Sequence, residues 1–423
     1  MTMSASVSTL DAVRSAAPII DEYLESIERD RLLPEAVARA LVDAGAFRML
    51  VPRSLGGDEL DPMTVCEVVE ELAIRDGAVG WCAMIGACNG LFGGLLPRAG
   101  AAEIYADRDV VLAGQFRSSG IAVQVDGGYL VTGRWPFASG IMHSRWLMGG
   151  CQIVEEPNGT STGPAKLMFM PREDATVVDT WHVGGLRGTG SHDFEAKGVF
   201  VPAARTVSFA DPPVEPELLY SLPSIAMFAT MIASVPLGIA RHAIEAFKQL
   251  GGIKKPTFSQ ALLRDGAVAQ SHLGEAEGFL RAGRAFLFES LRSAWQIAQR
   301  GERLSWHDRG LLWLSATQAV TQALHAVDLV YRAGGAASVY TSSQLERCLR
   351  DIRAASQHMT VMTTNYRWRV SSSSARTYRG RFGAAIPSAQ TDRYVRMGHQ
   401  PQDRQGARPH DPAVAAAAGG SGH

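Results

Sequence analysis

The hydrophobic period changes twice along this chain, and that order of textures limits the fold more than any single residue does. Residues 1 to about 110 carry apolar positions at helical spacing. In LLPEAVARALVDAGAF, Leu33, Val37, Leu41 and Ala44 fall at i, i+4, i+8 and i+11 and share one face. Gly45, Pro52, Gly56 and Gly57 then supply stop and turn signals. From 111 to about 210 the period shortens to two. Ile121, Val123 and Val125 lead into Asp126-Gly127-Gly128, and Tyr129 and Val131 resume the alternation. That pattern predicts a hairpin, because glycine accepts the positive φ of a tight turn. Short strands are also predicted over 166–170, 176–183 and 194–201. After Pro223 the helical period returns in segments 224–250, 261–300, 305–333 and 342–366, as in a bundle of four or more helices. The expected fold class is therefore α+β: an N-terminal helical domain over 1–110, a central β domain over 111–212 and a C-terminal helical bundle over 213–400. Residues 401–423, rich in Pro, Gly and Ala and without an apolar face, are expected to form a disordered tail.

Composition narrows the partners. In 423 residues, 41 basic side chains stand against 42 acidic ones, a formal net charge of −1, so nothing points to nucleic acid. Cys66, Cys82, Cys88, Cys151 and Cys348 are scattered, with no C-x-x-C pair and no histidine at metal spacing. That usage excludes a disulfide framework or a zinc ribbon and fits a reducing compartment. The N-terminus has no apolar core of a secretory signal, so a cytoplasmic location is expected and the Asn158 sequon is read as chance. Two uncharged stretches, 77–97 and 218–240, are long enough to span a bilayer. The first contains six glycines and Asn89, the second Pro223 and Pro236, which favours helices buried in a core or an oligomer interface over membrane spans. No phosphate-loop, zinc-protease or nucleophile-elbow motif is present. The run Gly184-Gly185-Leu186-Arg187-Gly188-Thr189-Gly190 lies among strands and reads as a turn rather than a dinucleotide loop.

Four motifs, in order, resemble the acyl-CoA dehydrogenase fold across about residues 15 to 370. They are LLPEAVARALVDAGAFRMLVPRSLGG, GGYLVTGRWPFASG, GGLRGTGSHDFEAKGVFVP and AGGAASVYTSSQLERCLRDIRAASQH. The resemblance implies helices, a β-barrel-like middle domain and a terminal bundle. It fails at the carboxylate that dehydrogenases of this fold use to remove an α-proton. The position expected after Arg350-Asp351 holds Met359, beside His358, and no Glu follows Glu346. The alternative position, before Pro236-Leu237-Gly238, is preceded by SIAMFATMIASV, which has no acid.

The chain is more similar to the group D flavin monooxygenases of the same fold, such as the oxygenase components of 4-hydroxyphenylacetate and 3-hydroxy-steroid-dione hydroxylases. The shared marks are W-x-F-x-S-G, here Trp135-Pro136-Phe137-Ala138-Ser139-Gly140, a histidine after the Arg-Asp helix, here His358, and DGAVGWCAMIGA with Trp81. The resemblance implies reduced FAD or FMN, not covalently bound and supplied by a separate flavin reductase, with O2 and a small-molecule substrate, in a homotetramer. The implied reaction hydroxylates an aromatic, phenolic or polyketide-like molecule through a flavin C4a-hydroperoxide. His358 is then the base that deprotonates a phenol, a task suited to an imidazole with pKa of about 6.5. Ser139 is implied to hydrogen-bond the flavin N5 region or the substrate oxygen, and Trp135, Phe137, Gln115 and Ser118 to touch flavin. Trp81 is implied to line the substrate site with His358. Without the resemblance, His358 reads as a structural histidine, Ser139 as a turn residue, and Trp135 and Phe137 as β-core aromatics. An N- or S-oxygenase of this fold, or an acyl-CoA dehydrogenase with a relocated base, are the alternatives.

Overall fold

A computed structural model describes residues 8–156 and 159–366. The expected tail at 401–423, residues 367–400 of the expected bundle and Asn158 of the sequon lie outside the described residues. Seven helices open the described chain: α1 (Thr9–Ser15), α2 (Ala17–Glu22), α3 (Leu24–Asp30), α4 (Glu35–Asp43), α5 (Pro62–Arg75), α6 (Gly77–Gly90) and α7 (Arg98–Ile104). Seven strands follow: β1 (Leu112–Val125), β2 (Gly128–Trp135), β3 (Trp146–Val154), β4 (Lys166–Pro171), β5 (Thr176–Val178), β6 (Asp193–Pro202) and β7 (Thr206–Val207). Then come α8 (Leu218–Ser221), α9 (Ser224–Ile253), α10 (Ala267–Gln299), α11 (Trp306–Gly334) and α12 (Gln344–Ala355).

The strands form one sheet in the order β5-β6-β2-β1-β3-β4-β7, antiparallel except for the β1–β3 pair. Val125 pairs with Gly128, which leaves Asp126 and Gly127 as a two-residue hairpin turn with Gly127 at φ +74°. Strand β1 bulges between Gln115 and Ser118 and again between Ser118 and Gly120.

Each helix end near the site has a local cause. Asp61 accepts the amides of Met63 and Thr64 to open α5, with Pro62 in the first turn. Asp76 does the same for α6 through Ala78 and Val79. Helix α6 is buried nearly all round, as its uncharged sequence implies. Helix α9 is long and apolar enough to cross a membrane, yet every residue from 226 to 240 is buried within the protein. Helices α5, α6 and α9 approach closely at Ala73. A Cβ on Gly80 would lie 2.6 Å from the Ala73 Cβ, and one on Gly238 would lie 2.5 Å from that Cβ and from the Glu70 carbonyl oxygen.

Three expectations are corrected. Strand β5 ends at Val178, so 179–183 runs on as irregular chain into the glycine-rich turn. The helix expected over 342–366 stops at Ala355, which places His358 beyond the helix rather than on it. Ser356 donates to the Arg353 carbonyl and the Thr360 amide donates to His358 Nδ1, local bonds that compete with helix continuation. Trp135 does not face a ligand. It is fully buried in the core of the sheet, stacked on Phe194 at 4.8 Å, with Nε1 donating to the Gly150 carbonyl at 2.8 Å. Indole is large, and the period-2 pattern points it inward.

Gly238→Val should lower stability by about 1–3 kcal/mol, the usual size of overpacking in a close-packed core, because the added carbons meet backbone rather than a movable side-chain tip. A urea-unfolding midpoint below that of the parent, with α-helical circular dichroism retained at low urea, is the expected reading.

Candidate active site

The site is built outward from the α5–α6 corner. One Asp76 oxygen accepts the Ala78 and Val79 amides at 2.9 and 3.1 Å, and the other pairs with Arg347 of α12. This fixes the start of α6, and Trp81 follows in the next turn. Its Nε1 donates to Ser139 Oγ at 3.1 Å. Ser139 sits in the connection from β2 to β3, where Phe137 and Gly140 take φ values of +63° and +76°. Backbone bonds hold that loop to the glycine-rich segment: Ala138 N–H to the His192 carbonyl at 3.0 Å and Gly140 N–H to the Thr189 carbonyl at 2.9 Å. Ser139 Oγ lies 2.7 Å from Ser191 Oγ, which lies 2.6 Å from Thr189 Oγ1. Thr189 Oγ1 donates to the Leu186 carbonyl at 2.8 Å. Trp81 also meets the His358 ring edge-on, centroids 5.8 Å apart. Trp81, Ser139 and His358 come from the three modules in turn, and Trp81 joins them.

Burial lowers the His358 pKa from its ordinary 6.5 to about 4, so the ring is neutral at neutral pH. The orienting partner that sequence could not supply is Thr360, whose Oγ1 lies 2.9 Å from Nδ1. Nδ1 also accepts the Thr360 amide at 3.4 Å, so Nε2 becomes a proton acceptor only when that long bond gives way to the tautomer that carries hydrogen on Nδ1 and donates it to Thr360 Oγ1. His143 closes the short turn Ile141–His143 that follows Gly140. Burial takes its pKa to about 4, its ring packs against Phe47 at 5.7 Å, and its buried Nε2 has no hydrogen-bond partner. His192 is also buried, and its Nδ1 accepts the amides of Thr180 and Trp181 at 3.3 Å each, which is a structural role.

The remaining candidates divide. Phe137 is 60% exposed beside Trp181, with ring centroids 6.1 Å apart, and is open to a ligand. Gln115 reaches the Pro136 carbonyl at 3.4 Å with Nε2 and accepts the Arg117 amide with Oε1, so it braces the loop that carries Phe137. Ser118 is half-buried at the bulge in β1. Arg187 donates to the carbonyls of Glu28 and Val183, which holds the glycine-rich turn to α3. Thr189, Ser191, Thr360 and His143 are site residues that sequence reading passed over. The first two stand in the glycine-rich run, where a Gly-Thr-Gly-Ser string among strands was the available signal; Thr360 had none.

Residues 10–106 match the N-terminal domain of acyl-CoA dehydrogenase and residues 230–363 its C-terminal domain. The chain is 31% identical to an indole-3-acetate monooxygenase of Pseudomonas putida, over 84% of this chain and 90% of that protein. It is 26% identical to the flavin-dependent monooxygenase, oxygenase subunit HsaA, of Mycobacterium tuberculosis, over 83% of this chain and 91% of that one. Among solved structures, XiaF from Streptomyces sp. in complex with FADH2 and glycerol superposes with a TM-score of 0.81 at 27% identity, covering 86% of this chain and 94% of XiaF. The chain belongs to the acyl-CoA dehydrogenase family, and within it to the flavin-dependent monooxygenases.

The residues present fit a flavin. Its ring system has a polar edge of N–H and C=O groups and broad apolar faces. The loop around Ser139 offers a hydroxyl with one acceptor position to spare, the unpartnered Nε2 of His143 and the exposed ring of Phe137. No group of three His, Cys, Asp or Glu side chains suited to a metal ion occurs among the described residues.

His143 and His358 take up protons near pH 4 in the folded chain and near 6.5 when unfolded. Between those values the unfolded state holds more protons, so their contribution to stability is complete above about pH 6.5 and is lost as the pH falls toward 4. His143→Gln should therefore lose less stability than the parent between about pH 7 and about pH 5, read as the difference in urea midpoints.

Proposed function

We propose that the chain is the oxygenase component of a two-component system, hydroxylating an aromatic, phenolic or polyketide-like small molecule with O2 and reduced FAD or FMN delivered by a separate flavin reductase. The observation that carries this reading is the Trp81 bridge, which brings a neutral His358 and the Ser139 hydroxyl into contact with one indole. Reduced flavin, when bound, supplies the activation of O2.

His358 Nε2 accepts the phenolic proton of the substrate while Nδ1–H is held by Thr360 Oγ1. A base whose pKa is about 4 removes little phenolic proton in advance. It acts as the ring attacks, and the developing phenolate charge stabilises the imidazolium beside it. Trp81, buried and fixed at its N–H, gives the substrate ring an apolar wall and keeps water from the reacting oxygen. Ser139 holds the flavin edge. No carboxylate contacts Trp81, Ser139 or His358 among the described residues, and Met359 is 52% exposed, which speaks against α-proton abstraction from an acyl-CoA.

The proposal extends to a homotetramer in the cytoplasm. Ile253, Phe258, Val268, Val339 and Tyr340 are exposed large apolar residues around the junctions of α9 with α10 and α11 with α12, as an interface between copies would need. All five cysteines are buried and free. Light scattering on the purified protein should give four chains per particle.

His358→Ala should cut hydroxylation of a phenol, driven by chemically reduced flavin, by about 10²–10⁴-fold, the usual weight of a general base. Anaerobic binding of reduced flavin should stay at the parental affinity. Full turnover in that variant would overturn the phenolic reading in favour of oxygenation at nitrogen or sulfur.

A further inference from the structure

The hydroxyls at the site form one unbranched chain, and counting protons fixes its direction. There are four close contacts: Trp81 Nε1 to Ser139 Oγ, Ser139 Oγ to Ser191 Oγ, Ser191 Oγ to Thr189 Oγ1, and Thr189 Oγ1 to the Leu186 carbonyl oxygen. There are also four protons, one on the indole and one on each hydroxyl. The indole can only donate and the carbonyl can only accept. Every contact holds a proton in one arrangement alone, in which Trp81 donates to Ser139, Ser139 to Ser191, Ser191 to Thr189, and Thr189 to Leu186. In the reverse order Thr189 Oγ1 and the Leu186 oxygen would face each other at 2.8 Å with no proton between them, inside a buried cluster where an unmade bond is costly.

The carbonyl end does not drift. Leu186 takes a left-handed φ of +52°, its amide donates to Asp351 Oδ1 at 2.6 Å, and its carbonyl also accepts Trp181 Nε1 at 3.0 Å. Ser139 therefore has its own proton committed inward to Ser191, and the one position left on its oxygen is an acceptor.

We propose that Thr189, acting through Ser191, is the positioning residue that makes Ser139 an acceptor toward the flavin, and that this polarity makes the site select the reduced over the oxidised cofactor. The proposal rests on the reading above that Ser139 faces the flavin. N5 of a reduced isoalloxazine carries hydrogen and meets an acceptor hydroxyl as a donor. N5 of the oxidised ring carries a lone pair and is repelled by the same oxygen. Thr189 is 2% exposed with its hydroxyl engaged by Ser191 and the Leu186 carbonyl, so it acts by taking the proton of Ser191, which leaves Ser191 free to take that of Ser139.

The test is anaerobic titration calorimetry of the full-length protein with FADH2 and, separately, with FAD. The wild-type protein should bind FADH2 more tightly. In Thr189→Val, Ser191 loses its acceptor and turns its proton to Ser139, whose own proton is released outward; the ratio of the two dissociation constants should narrow by about tenfold, the size of one hydrogen bond. Ser191→Ala should narrow it equally, by removing the acceptor for the Ser139 proton, and serves if the valine variant does not fold. Thr189→Ser, which restores the hydroxyl, should keep the wild-type ratio. A wild-type protein without preference overturns the proposal, as does an unchanged ratio in both Thr189→Val and Ser191→Ala. If, with that ratio unchanged, Ser139→Ala still weakens FADH2 binding, the polarity is wrong and the flavin-facing role of Ser139 stands. If Ser139→Ala leaves both affinities at the wild-type value, that role itself is wrong and the proposal falls with it.

Discussion

The site depends on one buried carboxylate. Asp76 is 2% exposed, caps α6 with one oxygen and pairs with Arg347 of α12 through the other. A charge at that depth is tolerable only because both oxygens are engaged, and removing one partner from such a pair typically costs about 3–5 kcal/mol. The same Arg347 lies within 3.8 Å of Glu28 and 3.9 Å of Asp351 and donates to the Leu24 carbonyl, so three helical segments converge on one guanidinium. Asp351 in turn holds the Leu186 amide of the glycine-rich turn, and burial together with the neighbouring Asp76 pushes its pKa above the usual carboxylate range. The turn can lie this close because Gly185 has no side chain: a Cβ there would lie 2.2 Å from the Arg350 carbonyl oxygen. The ionic cluster thus sets where α6, α12 and the turn stand relative to one another, and the first two carry or precede Trp81 and His358.

What the cluster positions is nearly free of charge. His358 and His143 are neutral, no metal-binding group lies among the described residues, and the hydroxyls beside Trp81 are bonded to one another in sequence. Such a site confines its acid–base chemistry to one neutral imidazole, His358. It suits a bound cofactor that does the difficult step while the protein supplies orientation, a dry wall and one well-placed proton acceptor. The empty carboxylate positions of the dehydrogenase pattern agree with that division of labour.

Much of the architecture was legible because it follows from periods. Alternation over 111–210 and helical spacing on either side predict a sheet module between two helical stretches of the chain, and the Asp126-Gly127 turn and the long α9 are where periodicity put them. The motif carrying Trp81, Ser139 and His358 was legible by resemblance, and the structure gathers those three around one indole. Trp135 was misassigned because W-x-F-x-S-G marks a loop, not a direction: β2 ends at Trp135, and the left-handed φ of +63° at Phe137 breaks the alternation that would have put both rings on one face, leaving one at 0% and the other at 60% exposure.

The sequence by itself determined the order of modules, the helix caps at Asp61 and Asp76, the absence of a dehydrogenase base and the presence of a histidine in its place. These are local properties, set by period, by short-range hydrogen bonding and by residue type. Only the tertiary structure decided that burial keeps the His358 ring neutral, that Trp81 reaches Ser139, and that Ser191 takes up the next hydrogen bond from Ser139. Those features depend on desolvation and on contacts between segments 50 to 270 residues apart, and no local pattern encodes which distant groups will meet when the core closes.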